Sequence, residues 1–109
     1  MMTKKILIFS GSLRKEAHSK KIAKICEKMG NELHALPTYF ELSDYNLPLL
    51  NQDDSEYDVF PESAKSLKKL MAGHDAWIVV TPEHNGSIPA SLKNLIDWVS
   101  RPESEEEKT

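Results

Sequence analysis

Two short apolar runs constrain the fold of this chain more than any other feature. Residues Lys4 to Ser10 (KKILIFS) form an uninterrupted run that ends at Gly11, and Asp75 introduces a second, AWIVV, from Ala76 to Val80. Runs this short, without polar alternation, suit strands buried on both faces of a parallel sheet. The segments between and after them have helical spacing. Ile22, Ile25, Cys26, Met29, Leu33 and Leu36 keep to one side of a helix predicted from Ser19 to Leu36 and stopped by Pro37. Gly30 is a weak point where that helix breaks most readily, because glycine costs about 1 kcal/mol in a helix interior. Ala64, Leu67, Leu70 and Met71 mark a second helix over Glu62 to Ala72 with Gly73 as its C-terminal cap. Leu92, Leu95, Ile96 and Val99 mark a third, from Ser87 to Ser100, ended by Pro102. Thr38 to Leu42 (TYFEL) reads as a short strand, and the polar, proline-containing stretch after it as a long loop. The order β-α-β-α-β-α favours a parallel sheet with right-handed crossovers.

Composition narrows the classes further. A length of 109 residues with 39% hydrophobic content supports one domain with a modest core, predicted over 1–102. The remainder, 103–109, carries four glutamates and is expected to be an acidic, disordered tail. The net charge is −3, and Lys and Arg are scattered among acidic residues, which argues against nucleic acid as a partner. The apolar run Ile6 to Phe9 is too short for a signal peptide or a membrane span, so a cytoplasmic protein is expected. Cys26 is the only cysteine, which leaves no internal disulfide and no CxxC pair, so redox chemistry requires a bound cofactor. Cys26 itself reads as a small buried hydrophobe, and Trp77 and Trp98 as core or interface residues. His18, His34, His74 and His84 lack metal-ligand spacing, and neither Ser12 nor Ser87 sits in a GxSxG elbow.

Two loops carry the chemistry. Ser10-Gly11-Ser12-Leu13-Arg14 joins the first strand to the first helix. Backbone N–H groups at a helix start, serine hydroxyls and an arginine make an anion site there. On local chemistry alone, a plain turn fits equally well, with Gly11 supplying an unusual backbone angle and the serines capping. The loop lacks the Lys of a GxxxxGK[ST] motif and is not a GxGxxG fingerprint, which disfavours a nucleoside triphosphatase or a standard dinucleotide domain. The second loop, Thr81 to Pro89 (TPEHNGSIP), follows the third strand. Open α/β sheets bind ligands beyond the C-terminal strand ends where strand order reverses, which in a 2-1-3 arrangement lies between strands one and three. The two loops therefore face each other. Pro82 and Pro89 stiffen the second loop, and Asn85-Gly86 permits a tight turn.

The stretch TPEHNGSIPASLKNLIDWVSRP, Thr81 to Pro102, resembles the TPEYNGSIPGxLKNxIDWxSRP pattern of the NADPH-dependent FMN reductase family. Gly11 to Arg14 match the opening of that family's GSLRxxSxN pattern, and the resemblance covers nearly the whole chain. It implies a flavodoxin-like three-layer α/β/α fold with a parallel sheet in the order 2-1-3. It also implies FMN as cofactor and NADPH or NADH as electron donor. Ser10, Ser12 and Arg14 would hold the FMN phosphate, with Ser19 where the family usually has Asn. Pro82, Glu83, His84 and Asn85 would line the isoalloxazine and ribityl region, with Gly86 and Ser87 completing the turn. His84 stands where Tyr is usual, and Ala17 where Ser is common. The implied reaction passes electrons through FMN to a small-molecule acceptor, whether free flavin, quinone, azo dye or metal ion, with no side chain as acid, base or nucleophile. Family members usually form dimers or tetramers, so a homo-oligomer is expected. They continue with a fourth strand, a Gly-rich loop and a fifth strand with its helix. Strands four and five have no counterpart after Pro102, which leaves the third strand as an exposed edge. A flavin-binding module or remnant without turnover is therefore the alternative to an enzyme. A flavodoxin-type electron carrier is a weaker third reading, since it rests on fold alone.

Overall fold

Leu7 and Phe9 are fully buried on one side of the first strand, β1 (Lys5–Ser10), and Ile8 is as deeply buried on the other. That burial pattern marks an interior strand with a layer on each face, as its unbroken apolar run requires. In this computed structural model, which describes residues 3–51 and 60–102, β1 lies between two parallel neighbours. These are β2 (Leu36–Tyr39) and β3 (Ala76–Val80), giving the order β2-β1-β3 expected from the sequence. Helix α1 (His18–Glu32) packs across one face of the sheet. Helices α2 (Glu62–Ala72) and α3 (Ala90–Val99) pack together on the other, where Leu67, Met71, Leu92 and Leu95 join Leu7, Phe9, Phe40 and Leu42 in the main core. Phe9 and Phe40 stack with ring centroids 4.6 Å apart.

A second cluster of Phe60, Ala64 and Trp98 pins the long loop to this face. Trp98 donates Nε1–H to the Pro48 carbonyl at 2.7 Å, and Asn94 both accepts from the Leu50 N–H and donates to Pro48 O. The burial expected of Trp98 is met. Trp77 is half exposed, with its indole N–H donating to Met71 O at 2.8 Å.

Several boundaries differ from the sequence expectation. The first helix ends at Glu32, with no break at Gly30. Leu33 caps it and His34 turns the chain back at φ 62°. Leu36 and Pro37, counted with or against the helix, instead pair with Lys5 and Ile6 in β2. Sheet pairing with β1 outweighs helical spacing there, and an edge strand tolerates the proline. The predicted strand over Thr38 to Leu42 thus lies two residues earlier, and Leu42–Asp44 forms a 3-10 turn. The third helix starts at Ala90, not Ser87, because the residues before it close a tight turn and Pro89 takes the N-cap position. The predicted acidic tail and most of the long loop lie outside the described residues.

The third strand is the exposed edge expected from the sequence, while the burial expected along the first helix fails. Trp77, Ile78 and Val79 are 38–53% exposed, because β1 is the only neighbour of β3 among the described residues. Along α1 the apolar stripe of Ile22, Ile25 and Met29 is likewise half exposed, Cys26 is half-buried, and the buried positions are Ser19, Lys20 and Ala23. The stripe is turned toward the open β3 side of the sheet, where Ile22 shares a cavity with Val80 and Thr81.

Candidate functional site

The site is built where β1 and β3 end side by side. Gly11 leaves β1 and donates its N–H to Val80 O at 2.9 Å, which ties the following loop to the end of β3. A side chain on Gly11 would meet Leu92 Cδ2 and Thr81 Oγ1, each at 2.9 Å. The glycine is required by close packing, not by the unusual backbone angle considered from the sequence. Ser91, in the first turn of α3, donates its hydroxyl to Gly11 O at 2.7 Å and closes this junction from the third side.

Beyond Gly11 the serines organise the loop. The Ser12 N–H donates to Ser10 Oγ at 3.0 Å, the Arg14 N–H donates to Ser12 Oγ at 3.1 Å, and the Ser10 and Ser19 hydroxyls are 2.7 Å apart. Ser10, Ser12 and Ser19 are all buried, while the Arg14 side chain is exposed. Side-chain oxygens bonding the backbone two residues on hold the chain in the curved path that leads into α1. The helix start contributes the positive end of its dipole.

The facing loop is shaped by its own turn. His84 and Ser87 exchange backbone hydrogen bonds at 2.8 and 3.0 Å, with Asn85 at φ 53° and Gly86 at φ 79° between them. Positive φ at both central positions is the geometry that the Asn-Gly pair favours.

Between the loops lies a cavity of about 630 Å³. Of the site residues read from the sequence, Ser12, Arg14, Ser19, Pro82 and His84 line it. Ser10 lies beneath, hydrogen bonded to Ser12 and Ser19, and Glu83, Asn85, Gly86 and Ser87 form the turn without lining the cavity. Ala17, Thr81 and Pro89, which the motifs include, line it as well, and so do Ile22 and Ser91, which were not anticipated. Thr81 and Pro89 belong to the second motif, and their place in it was the available signal. Nothing local marks Ile22 or Ser91, which reach the cavity only through helix orientation. The lining thus combines Arg14 and the serine hydroxyls of the first loop with apolar side chains such as Ile22 and Val80 and the rigid prolines of the second. That arrangement suits a ligand with an anionic tail and a flat apolar head. Among the described residues no group of three or more His, Cys, Asp or Glu side chains is placed to hold a metal ion. No helix among them is long and apolar enough to cross a membrane.

The chain is also similar to known proteins. Residues 4–109 match the NADPH-dependent FMN reductase family. The chain is 39% identical over 109 aligned positions to a 2-hydroxy-1,4-benzoquinone reductase of a Burkholderia species, covering 93% of this chain and 52% of that protein. It is 31% identical over 100 positions to an NADPH azoreductase of a Bacillus species, covering 91% and 52%. Among solved structures, it superposes on FerB, a flavoenzyme NAD(P)H:(acceptor) oxidoreductase from Paracoccus denitrificans. The TM-score is 0.75 at 34% identity, over 92% of this chain and 52% of FerB. The chain thus spans about half the length of the relatives it matches.

Proposed function

Because this chain belongs to the NADPH-dependent FMN reductase family, we propose that it binds FMN in the β1/β3 cavity and serves as an NAD(P)H-dependent oxidoreductase. The observation that carries this reading is the convergence of both motif loops on one cavity lined by both polar and apolar side chains. The residues fit the cofactor. Ser12, Ser19 and Arg14 stand at the helix start, where their hydroxyls and guanidinium would serve a phosphate, and Ser10 braces them from below. Pro82 and His84 would line the isoalloxazine, held by the Glu83-to-Ser87 turn with Asn85 and Gly86 at its tip.

Bound FMN would supply the electron transfer from NADH or NADPH to an acceptor. The chain's own part is to hold the phosphate, fix the ring plane against a stiff loop and exclude water from the apolar end. No side chain is assigned as acid, base or nucleophile. The names of the relatives support a quinone or azo compound as acceptor, with free flavin and metal ions in the same class of reaction. The protein works in the cytoplasm as a homo-oligomer, a dimer or tetramer, and the open β3 edge supports association. A second reading is a flavin-binding module without turnover, favoured by the exposure of Trp77, Ile78 and Val79 on a β3 whose only strand neighbour among the described residues is β1.

Absorption and fluorescence of the purified chain, before and after FMN addition and desalting, test the site. Retained, quenched flavin is expected, and Arg14→Ala should weaken it about tenfold or more through loss of a charge-assisted phosphate contact. Absence of retained flavin from a folded sample overturns the reading. NAD(P)H oxidation above an FMN-only control then separates enzyme from module.

A further inference from the structure

On the β2 side of α1 lies a second cavity of about 690 Å³, which shares Leu13 and Ala17 with the first. Its walls carry Lys15, Lys20, Lys21 and Lys24 together with Glu16 and Glu41. Four ammonium groups against two carboxylates leave an excess of two positive charges, the complement of a phosphate dianion.

A solvated helix face explains exposed lysines, but not the way this cavity is built. Lys20 is buried, and its Nζ lies 3.0 Å from Glu41 Oε2. Tyr39 donates its hydroxyl to the other oxygen of the same carboxylate at 2.6 Å. Lys24 Nζ stands 5.7 Å from the centroid of the Tyr39 ring. Fully buried lysines are rare and are kept by a partner, so this network fixes one cationic wall in place. None of Lys20, Lys24, Tyr39 and Glu41 lines the flavin cavity. Lys15 and Lys21 are exposed and have no ion pair among the described residues, so their ammonium groups remain available to a ligand.

We propose that this cavity binds a phosphate monoester dianion through Lys15 and Lys21, against the wall fixed by Lys20, Lys24 and Glu41. The dianion comes either from a nucleotide, such as the 2′-phosphate of a nicotinamide dinucleotide, or from free phosphate. The site is independent of the flavin reading, because its charged residues are different ones.

The test is a ¹H–¹⁵N NMR titration of the 109-residue chain with inorganic phosphate, with adenosine 2′-monophosphate and with adenosine, at matched ionic strength. Saturable shifts at Lys15, Lys20, Lys21 and Lys24 are expected with both phosphate probes and not with adenosine. Tighter binding of the nucleotide assigns the source to a dinucleotide, and equal binding assigns it to free phosphate. The double variant Lys15→Gln, Lys21→Gln should weaken both about fivefold or more, while the corresponding Arg variant retains them. Absence of saturable shifts at these lysines, or an unchanged affinity in the Gln variant, overturns the proposal. An FMN titration of the same samples reports on the flavin site separately.

Discussion

At Gly11 the missing side chain matters for space. Leu92 and Thr81 stand where a methyl group would go, so Gly11→Ala must displace packed atoms at the junction of β1, β3 and α3. We expect it to lower stability by about 1–3 kcal/mol, read by denaturant titration, as overpacking does elsewhere. Gly30 plays a similar part in α1, where an added Cβ would lie 3.3 Å from Pro37 of β2. Glu41 makes the residue-scale case for charge. Burial pushes its carboxyl up, but hydrogen bonds from Tyr39 and Lys20 outweigh this and hold it below the ordinary value of 4.5. A depressed carboxyl stabilises the fold above that ordinary value, and the contribution is lost as pH falls through the folded-state value. Burial and then the Glu41 carboxylate raise the Tyr39 phenol above its ordinary value, so its contribution persists below that value and is lost as pH rises further. Thermal unfolding followed from neutral to acid pH should therefore show a decline that Glu41→Gln flattens. An equal decline in the variant would assign the acid sensitivity to other groups.

At the scale of elements, apolar runs and turn residues were read correctly from the sequence, and chain reversals were not. β1 and β3 were legible as unbroken apolar runs, and α2 was placed within its observed bounds, Glu62–Ala72. The Asn85-Gly86 turn followed from residue types that tolerate positive φ. The α1–β2 junction was misread because Leu33 and Leu36 satisfy the helical period equally well. Only pairing of Leu36 and Pro37 with β1 decides for a strand. Burial along α1 was also unreadable, since periodicity identifies an apolar stripe but not what covers it. In the site, motif positions such as Arg14 and Pro82 were legible. Ile22 and Ser91 were not, because they arrive from helices whose orientation the local sequence does not specify.

For the molecule as a whole, the open flank of β3 dominates. One backbone edge without a strand partner among the described residues, half-exposed Trp77, Ile78 and Val79, and the neighbouring stripe on α1 form one apolar region. Unpaired apolar edges promote association. We expect sedimentation analysis to show concentration-dependent self-association of the 109-residue chain, and Ile78→Lys to suppress it. A monodisperse monomer, indifferent to that substitution, would contradict this. The sequence by itself determined the parallel α/β class and the two candidate loops, because short apolar runs and turn chemistry act locally along the chain, whereas the strand order that makes those loops face each other was implied by the family resemblance and is set by pairing of β1 with β2 and β3. Only the tertiary structure decided which apolar residues are covered, that Gly11 is needed for space, and that four lysines line one cavity together with Glu41. Those outcomes depend on distances between segments far apart in sequence, which no local pattern encodes.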